Sequence, residues 1–216
     1  MDTFVIFFVY IAVLILSVVV HEVSHGFVAN ALGDPTAKLA GRLTLNPVPH
    51  IDIFGSIILP LLLMIPAIFG VPTVIFGWAK PVPYNPYNLR NQRWGSAIVG
   101  LAGPFANFTI AALFGIGMRF LPLSGVGDVL FPVLLVFGVI VYLNLLLGLF
   151  NLLPISPLDG SKVLFSFPVS AGLQNFLTRY GFFVLMLFIF FGFQFVSPIL
   201  TRLFLFITGY PAAILF

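Results

Sequence analysis

"FVIFFVYIAVLILSVVVHEVSHGFVANALGDP", residues 4–35, opens on seventeen residues without a charge and then places a glutamate between two histidines. The apolar run is continuous to about residue 32, where Gly33 and Pro35 supply a stop, so one helix is expected over this span. About 20 apolar residues carry a helix across the hydrocarbon of a bilayer. The stretch therefore implies a membrane helix with ionisable groups near its C-terminal end.

The rest of the chain agrees. Of 216 residues 61% are hydrophobic and 7% charged, and the mean hydropathy is +1.18. A water-facing domain carries about a quarter charged residues, so the composition implies an integral membrane protein. Further apolar stretches lie at 53–77, 96–118, 129–150, 181–196 and 199–216. Met1 to Thr3 holds no basic residue and no small-residue cleavage site follows, so residues 4–20 are expected to be retained. With no cysteine in the chain, disulfides and thiolate metal sites are excluded and a metal would have to use His, Asp or Glu. Nine Lys and Arg against six acidic residues give a net charge of +3, spread thinly. No basic stripe is interleaved with aromatics, which speaks against nucleic acid as a partner.

The expected fold is an all-α polytopic membrane protein with about five to six membrane segments, forming a single domain over 1–216. Residues 53–77 are interrupted by Gly55, Pro60, Pro66, Gly70 and Pro72, so a broken or re-entrant segment is expected there. "AGRLTLN" alternates weakly, and a short β element is expected near 39–46. The last two spans, about 173–196 and 199–216, meet at Ser197-Pro198, and the sequence leaves open whether they form two crossings or a hairpin.

On a helix His21 and His25 share a face and can present imidazole nitrogens to one metal ion, with Glu22 beside them to take a proton from water activated by that ion. The chemistry implied is amide hydrolysis. A plain polar helix face is a weak rival, because Glu22 is the chain's sole glutamate and two of its three histidines stand beside it. Each ionisable group at the centre of a membrane helix costs at least about 2.5 to 3.5 kcal/mol. A third protein ligand is normal for catalytic zinc; the acidic or histidine candidates are Asp2, Asp34, His50, Asp52, Asp128 and Asp159. Asp159 stands out in the proline-broken "NLLPISPLDG", and His50 in "NPVPHID" is its rival. Transport is a reading of another class, since intramembrane polar groups also mark ion paths. The acidic residues are too few to line a conduction path, and the polar ones cluster at one place.

"HEVSHGFVANALG" together with "NLLPISPLDGSKVL" resembles the two signature regions of the site-2 protease family, the intramembrane zinc metalloproteases. "GRLTLNPVPHIDIFGSIILPLLL", "GWAKPVPYNP" and "LAGPFANF" resemble the segments between them in its short members. The resemblance covers about residues 10–165. It implies one Zn2+ per chain held by His21, His25 and Asp159, with Glu22 as the base. It also implies Asn151 near the scissile carbonyl, where its N–H could stabilise an oxyanion; the bland role for Asn151 is a bond to its own backbone. The implied substrates are single-span membrane proteins in the lipid bilayer, cut in or near their membrane segments. Ser161 departs from the family's usual L-D-G-G, which bears on the local turn more than on the ligand.

The assignment makes a topological demand. The histidines and Asp159 must lie towards the same side of the bilayer, so an even number of crossings must separate them. If 53–77 dips in and returns, the spans at 94–121 and 128–150 supply two. Lys38, Arg42, Lys80, Arg90 and Arg93 then fall on one side, which the positive-inside rule makes cytoplasmic. The expected location is thus the cell membrane, with the site within the bilayer nearer the cytoplasm.

Overall fold

The computed structural model describes residues 3–69, 78–121 and 130–212, and the regular elements among them are all helical. α1 spans Thr3–Ala31 and ends where Gly33 takes a φ of 109°, letting the Asp34 N–H donate back to the Ala29 carbonyl at 2.9 Å. The short α2, Thr36–Leu39, follows. The β element expected near 39–46 is absent: no strand occurs among the described residues. Weak alternation makes a strand only where another chain segment offers a ladder. Here Gly41 turns at φ +66° and the Arg42 N–H bonds back to Ala37 O at 2.9 Å.

Asp52 accepts from Gly55 N–H at 2.7 Å and so caps a π-helical stretch, Ile53–Ile58, which runs into α3, Leu59–Ile68, with Pro66 inside it. Residues 70–77 of the expected re-entrant segment lie outside the described residues. Its two flanks nonetheless meet: Trp78 N–H donates to Gly55 O at 3.2 Å and Lys80 N–H to His50 O at 2.9 Å. Ser56 Oγ donates to Trp78 O at 2.8 Å. The chain leaves near residue 53 and returns beside its starting point.

Asn91 caps α4, Gln92–Arg119, by accepting from Trp94 N–H. α4 runs back antiparallel along α1, with Val99 opposite His25 and Asn107 opposite His21 and Ser17. Glycines let the two backbones approach, as is usual where membrane helices pack without a hydrophobic drive. α5, Leu130–Asn151, runs parallel to α1 and brings Asn144 to Ser17. α6, Asp159–Ser166, then folds against α4. Two long helices, α4 and α5, stand between the histidines and Asp159.

Among the described residues four helices are long and apolar enough to cross a membrane: Val5–Ala31, Gln92–Arg119, Phe131–Asn151 and Ala171–Thr208. A shorter apolar helix occupies Ile53–Leu63. The final two apolar segments are one run: α7, Ala171–Leu187, a π-helical stretch Phe188–Gly192, and α8, Phe193–Thr208, lie end to end. Pro198 sits inside α8 and does not break it, since membrane helices tolerate a proline through local readjustment of the backbone. α4, α5 and α8 enclose an apolar core that includes Met118, Leu145, Leu200 and Phe204.

Candidate active site

His21 and His25 are both buried, as is Asp159 at the start of α6. The His21 and His25 Nε2 atoms are 3.1 Å apart, and Asp159 Oδ2 is 3.0 Å from each. The other ring nitrogens are engaged: His25 Nδ1 is 2.6 Å from Val99 O and His21 Nδ1 is 2.6 Å from Asn107 Oδ1. A carbonyl oxygen only accepts, so His25 carries its proton on Nδ1 and, when neutral, turns the Nε2 lone pair towards the cluster. Such a bond on the far nitrogen is the usual orienting device for a metal-ligating imidazole.

Three donor atoms thus form a nearly equilateral triangle. A tetrahedral zinc site with bonds of about 2.0 Å has edges of about 3.3 Å, close to what is found. Gly103 on α4 supplies the room: a Cβ there would lie 2.5 Å from His21 Nε2 and 2.6 Å from His25 Nε2. The donor set and the cradle kept open by a glycine fit a zinc ion held by His21, His25 and Asp159.

Glu22 stands beside this triangle. One of its carboxylate oxygens and the ligand nitrogens of both histidines lie within 4.8 Å of one another. Oε2 accepts from Val82 N–H at 2.7 Å, which ties the carboxylate to the segment returning from residue 78. Asp159 is steered from its other oxygen, since Lys162 Nζ donates to Oδ1 at 2.7 Å, and the same ammonium lies 5.4 Å from the centre of the Tyr84 ring.

Asn151 is not drawn into the cluster: its Nδ2 donates to Leu147 O at 3.0 Å, four residues back on its own helix. His50 is buried elsewhere and bonds to Thr44 O through Nε2 at 3.0 Å. Asp52 caps a helix and Asp34 holds a loop, while Asp2 and Asp128 fall outside the described residues. Sequence reasoning passed over Asn107, Asn144, Gly103 and Lys162. A signal existed for the two asparagines: each stands in an apolar membrane run, where an amide is costly unless partnered.

The model of peptidase family M50 matches residues 129–188, the stretch that carries Asp159. YwhC of Bacillus subtilis (strain 168), which bears the name of a zinc metalloprotease, is 36% identical over 197 residues, covering 86% of this chain and 79% of that protein. Rip2 of Mycolicibacterium smegmatis, named likewise, is 31% identical over 155 residues, 72% of this chain and 55% of its own length. Rip2 of Mycobacterium tuberculosis is 30% identical over 163 residues, 74% of this chain and 57% of its own. No solved structure matches. By its identity to YwhC over most of both chains, this protein belongs to peptidase family M50, the site-2 protease family, and is a membrane protease.

Proposed function

We propose that residues 1–216 act as one zinc endopeptidase domain that cuts peptide bonds in or near the membrane-spanning segments of single-span membrane proteins. The observation that carries this reading is the convergence of His21 Nε2, His25 Nε2 and Asp159 Oδ2 at 3.0–3.1 Å with the Glu22 carboxylate alongside. Zinc bound there supplies a Lewis acid that polarises a peptide carbonyl and acidifies water.

The chain's own groups do the rest. Glu22 takes the proton from the attacking water and passes it to the departing amine. The Val82 N–H fixes one carboxylate oxygen, so the other is free for this exchange. Burial of the three ligands keeps competing solvent off them and strengthens each charge interaction. Asn151 serves as an oxyanion donor by exchanging the Leu147 carbonyl for the substrate's. A substrate helix must unwind first, because its carbonyls are otherwise taken up by its own N–H groups.

The site faces the cytoplasm across a cell membrane. Lys38, Arg42, Lys80 and Arg90 belong to the stretch between α1 and α4 and Arg93 to the first turn of α4, at the end of the bundle nearer the histidines, and the positive-inside rule assigns that end to the cytoplasm. The described part of the expected re-entrant segment, residues 53–69, lies on this side, supported by the contacts of Trp78 and Lys80 with Gly55 and His50.

The test is zinc content by elemental analysis together with cleavage of a transmembrane peptide, for wild type, Glu22→Gln, Asp159→Ala and Asn151→Ala. About one zinc per chain is expected in wild type and Glu22→Gln, with cleavage lost in Glu22→Gln by a factor of about 10² to 10⁴. Asp159→Ala should lose metal, and Asn151→Ala should keep metal and cut more slowly. Full zinc in Asp159→Ala would remove Asp159 from the ligand set, and wild type free of zinc would end the metalloprotease reading.

A further inference from the structure

Beneath the histidines lies a buried polar chain that joins three helices. Asn107 and Asn144 are both 0% exposed, and Ser17 is 4% exposed. Asn144 Nδ2 donates to Ile140 O at 2.9 Å and to Ser17 Oγ at 2.8 Å. Asn107 Nδ2 donates to Asn144 Oδ1 at 2.7 Å, and Asn107 Oδ1 faces His21 Nδ1 at 2.6 Å.

The direction of this chain is fixed at its far end. The Ile140 carbonyl can only accept, so the amide nitrogen of Asn144 must point at it and the Asn144 oxygen must point at Asn107. That oxygen can only accept in turn, which sets the Asn107 amide with its own oxygen towards His21. His21 Nδ1 then has an acceptor before it and must carry the ring proton. A neutral imidazole protonated on Nδ1 has its lone pair on Nε2, the atom that faces His25 and Asp159.

The geometry points to Asn107 on α4 and Asn144 on α5 as positioning residues that set the His21 tautomer, one and two steps removed from that ring. This rests on the zinc-site reading above and adds to it the source of His21's orientation. The asymmetry between the histidines supports it. His25 is oriented by a backbone carbonyl, Val99 O, which no side-chain change removes, whereas His21 relies on the Asn107 side chain, held in turn by Asn144 Oδ1 at 2.7 Å and, more distantly, by Ser17 O at 3.4 Å. Released from Asn107, the His21 ring can place its proton on either nitrogen, and the Nε2–H form cannot ligate.

Two measurements on the full chain in detergent test this. One is zinc affinity by competition with a chelator for wild type, Asn107→Leu, Asn107→Asp and Asn144→Leu. The other is the ¹⁵N spectrum of the histidine rings in metal-free protein, which separates the tautomers directly. Loss of an outer partner to a ligating histidine typically costs about 10- to 100-fold in affinity, and that range is expected for Asn107→Leu. Asn144→Leu should lose a smaller factor, about 3- to 10-fold. Asn107→Asp keeps an acceptor for His21 but sets its second oxygen against Asn144 Oδ1, so it should bind zinc less tightly than wild type and more tightly than Asn107→Leu; a role in packing alone would not separate Asp from Leu in this way.

The His21 ring should be Nδ1–H in wild type and mixed in both Leu variants. If Asn107→Leu gives no folded protein, the ring spectrum of Asn144→Leu decides. Wild-type affinity in Asn107→Leu, or an Nε2–H ring in metal-free wild type, would overturn the relay. A wild type that takes up no zinc would instead defeat the metal-site reading, and the ring spectrum would still decide the tautomer.

Discussion

The two halves of α4 are packed on opposite terms. From Gly95 to Asn107 its buried face is made of small residues and one amide, Gly95, Gly100, Gly103 and Asn107 among them. That face packs on Leu89 and Ala29 at its start and meets polar groups beyond them: the His25 ring, the His21 ring and the Asp159 backbone. From Ala111 to Met118 the same helix packs on Leu145, Leu200 and Phe204, whose side chains carry no polar atom. Lipid is as apolar as leucine, so the far half is held by fit and dispersion, whereas the near half is held by hydrogen bonds that would otherwise go unmet. Placement of the site and cohesion of the bundle are thereby divided along one helix.

The strongest way to break that division is Gly103→Ala. Its Cβ would press on both histidine Nε2 atoms, at 2.5 and 2.6 Å, so one of the rings must turn away. Zinc affinity should fall by at least about 100-fold, the upper end for lost ligand orientation, with cleavage lost and the metal-free helical content unchanged by circular dichroism. A variant that still binds zinc tightly would mean that the near half does not shape the site.

The converse is Phe204→Ala in the far half. Phe204 is fully buried, and truncating a buried Phe costs about 3 to 5 kcal/mol in water-soluble cores. In a bundle surrounded by lipid the packing share of that loss remains, about 2 to 3 kcal/mol. Thermal unfolding in detergent should shift accordingly, while zinc affinity of the folded protein stays within about twofold of wild type. Loss of zinc binding at unchanged folding would show that the two halves are coupled after all.

Lys162→Met tests a finer point, how Asp159 is aimed. With the ammonium gone from Oδ1, the carboxylate is free to rotate, and zinc should bind about 10-fold more weakly. Unchanged affinity would assign the aim to the turn before α6, against which Gly160 packs so closely that a Cβ would lie 2.2 Å from Leu152 O.

The near half was legible in sequence only where its residues ionise. His21, Glu22, His25 and Asp159 stand out because charge in an apolar run needs a reason, and helical spacing alone puts the histidines on one face. Asn107 carries no charge, and its partner Asn144 lies 37 positions away, so no local pattern joins them; only the fold of α4 against α5 does. Gly103 carries no local mark either, since what a glycine makes room for depends on the neighbour. The strand expected near 39–46 failed for the same reason, as did the break at Pro198. Alternation and proline are local signs, and the outcome turned on whether a pairing partner existed and whether the helix could readjust.

The smallest expected effect lies just outside the bundle, where Asp34 ties the end of α1 to the segment leading into α4. Its carboxylate accepts from Thr36, from Asn85 N–H at 2.6 Å and from Asn88 Nδ2 at 2.9 Å. Burial pushes its pKa up, but the bonds from the Thr36 hydroxyl, the Asn88 amide and the backbone N–H groups of Asn85 and Thr36 outweigh this and hold it below the usual carboxylate range. A carboxyl whose folded pKa is depressed stabilises the fold fully above its unfolded value of about 3.9 and loses that contribution as pH falls through the folded value. Amide exchange at Asn85 and Asn88 reads this, on metal-free protein so that acid release of zinc plays no part. Asp34→Asn should lower protection about 3- to 10-fold, the scale of one net hydrogen bond. The gap from wild type should hold constant from neutral pH to about 4 and close below it. A gap that persists unchanged into strong acid would mean that the side chain's shape, and not its charge, makes the tie; the loop that presents Val82 to Glu22 would then owe nothing to an ionised Asp34.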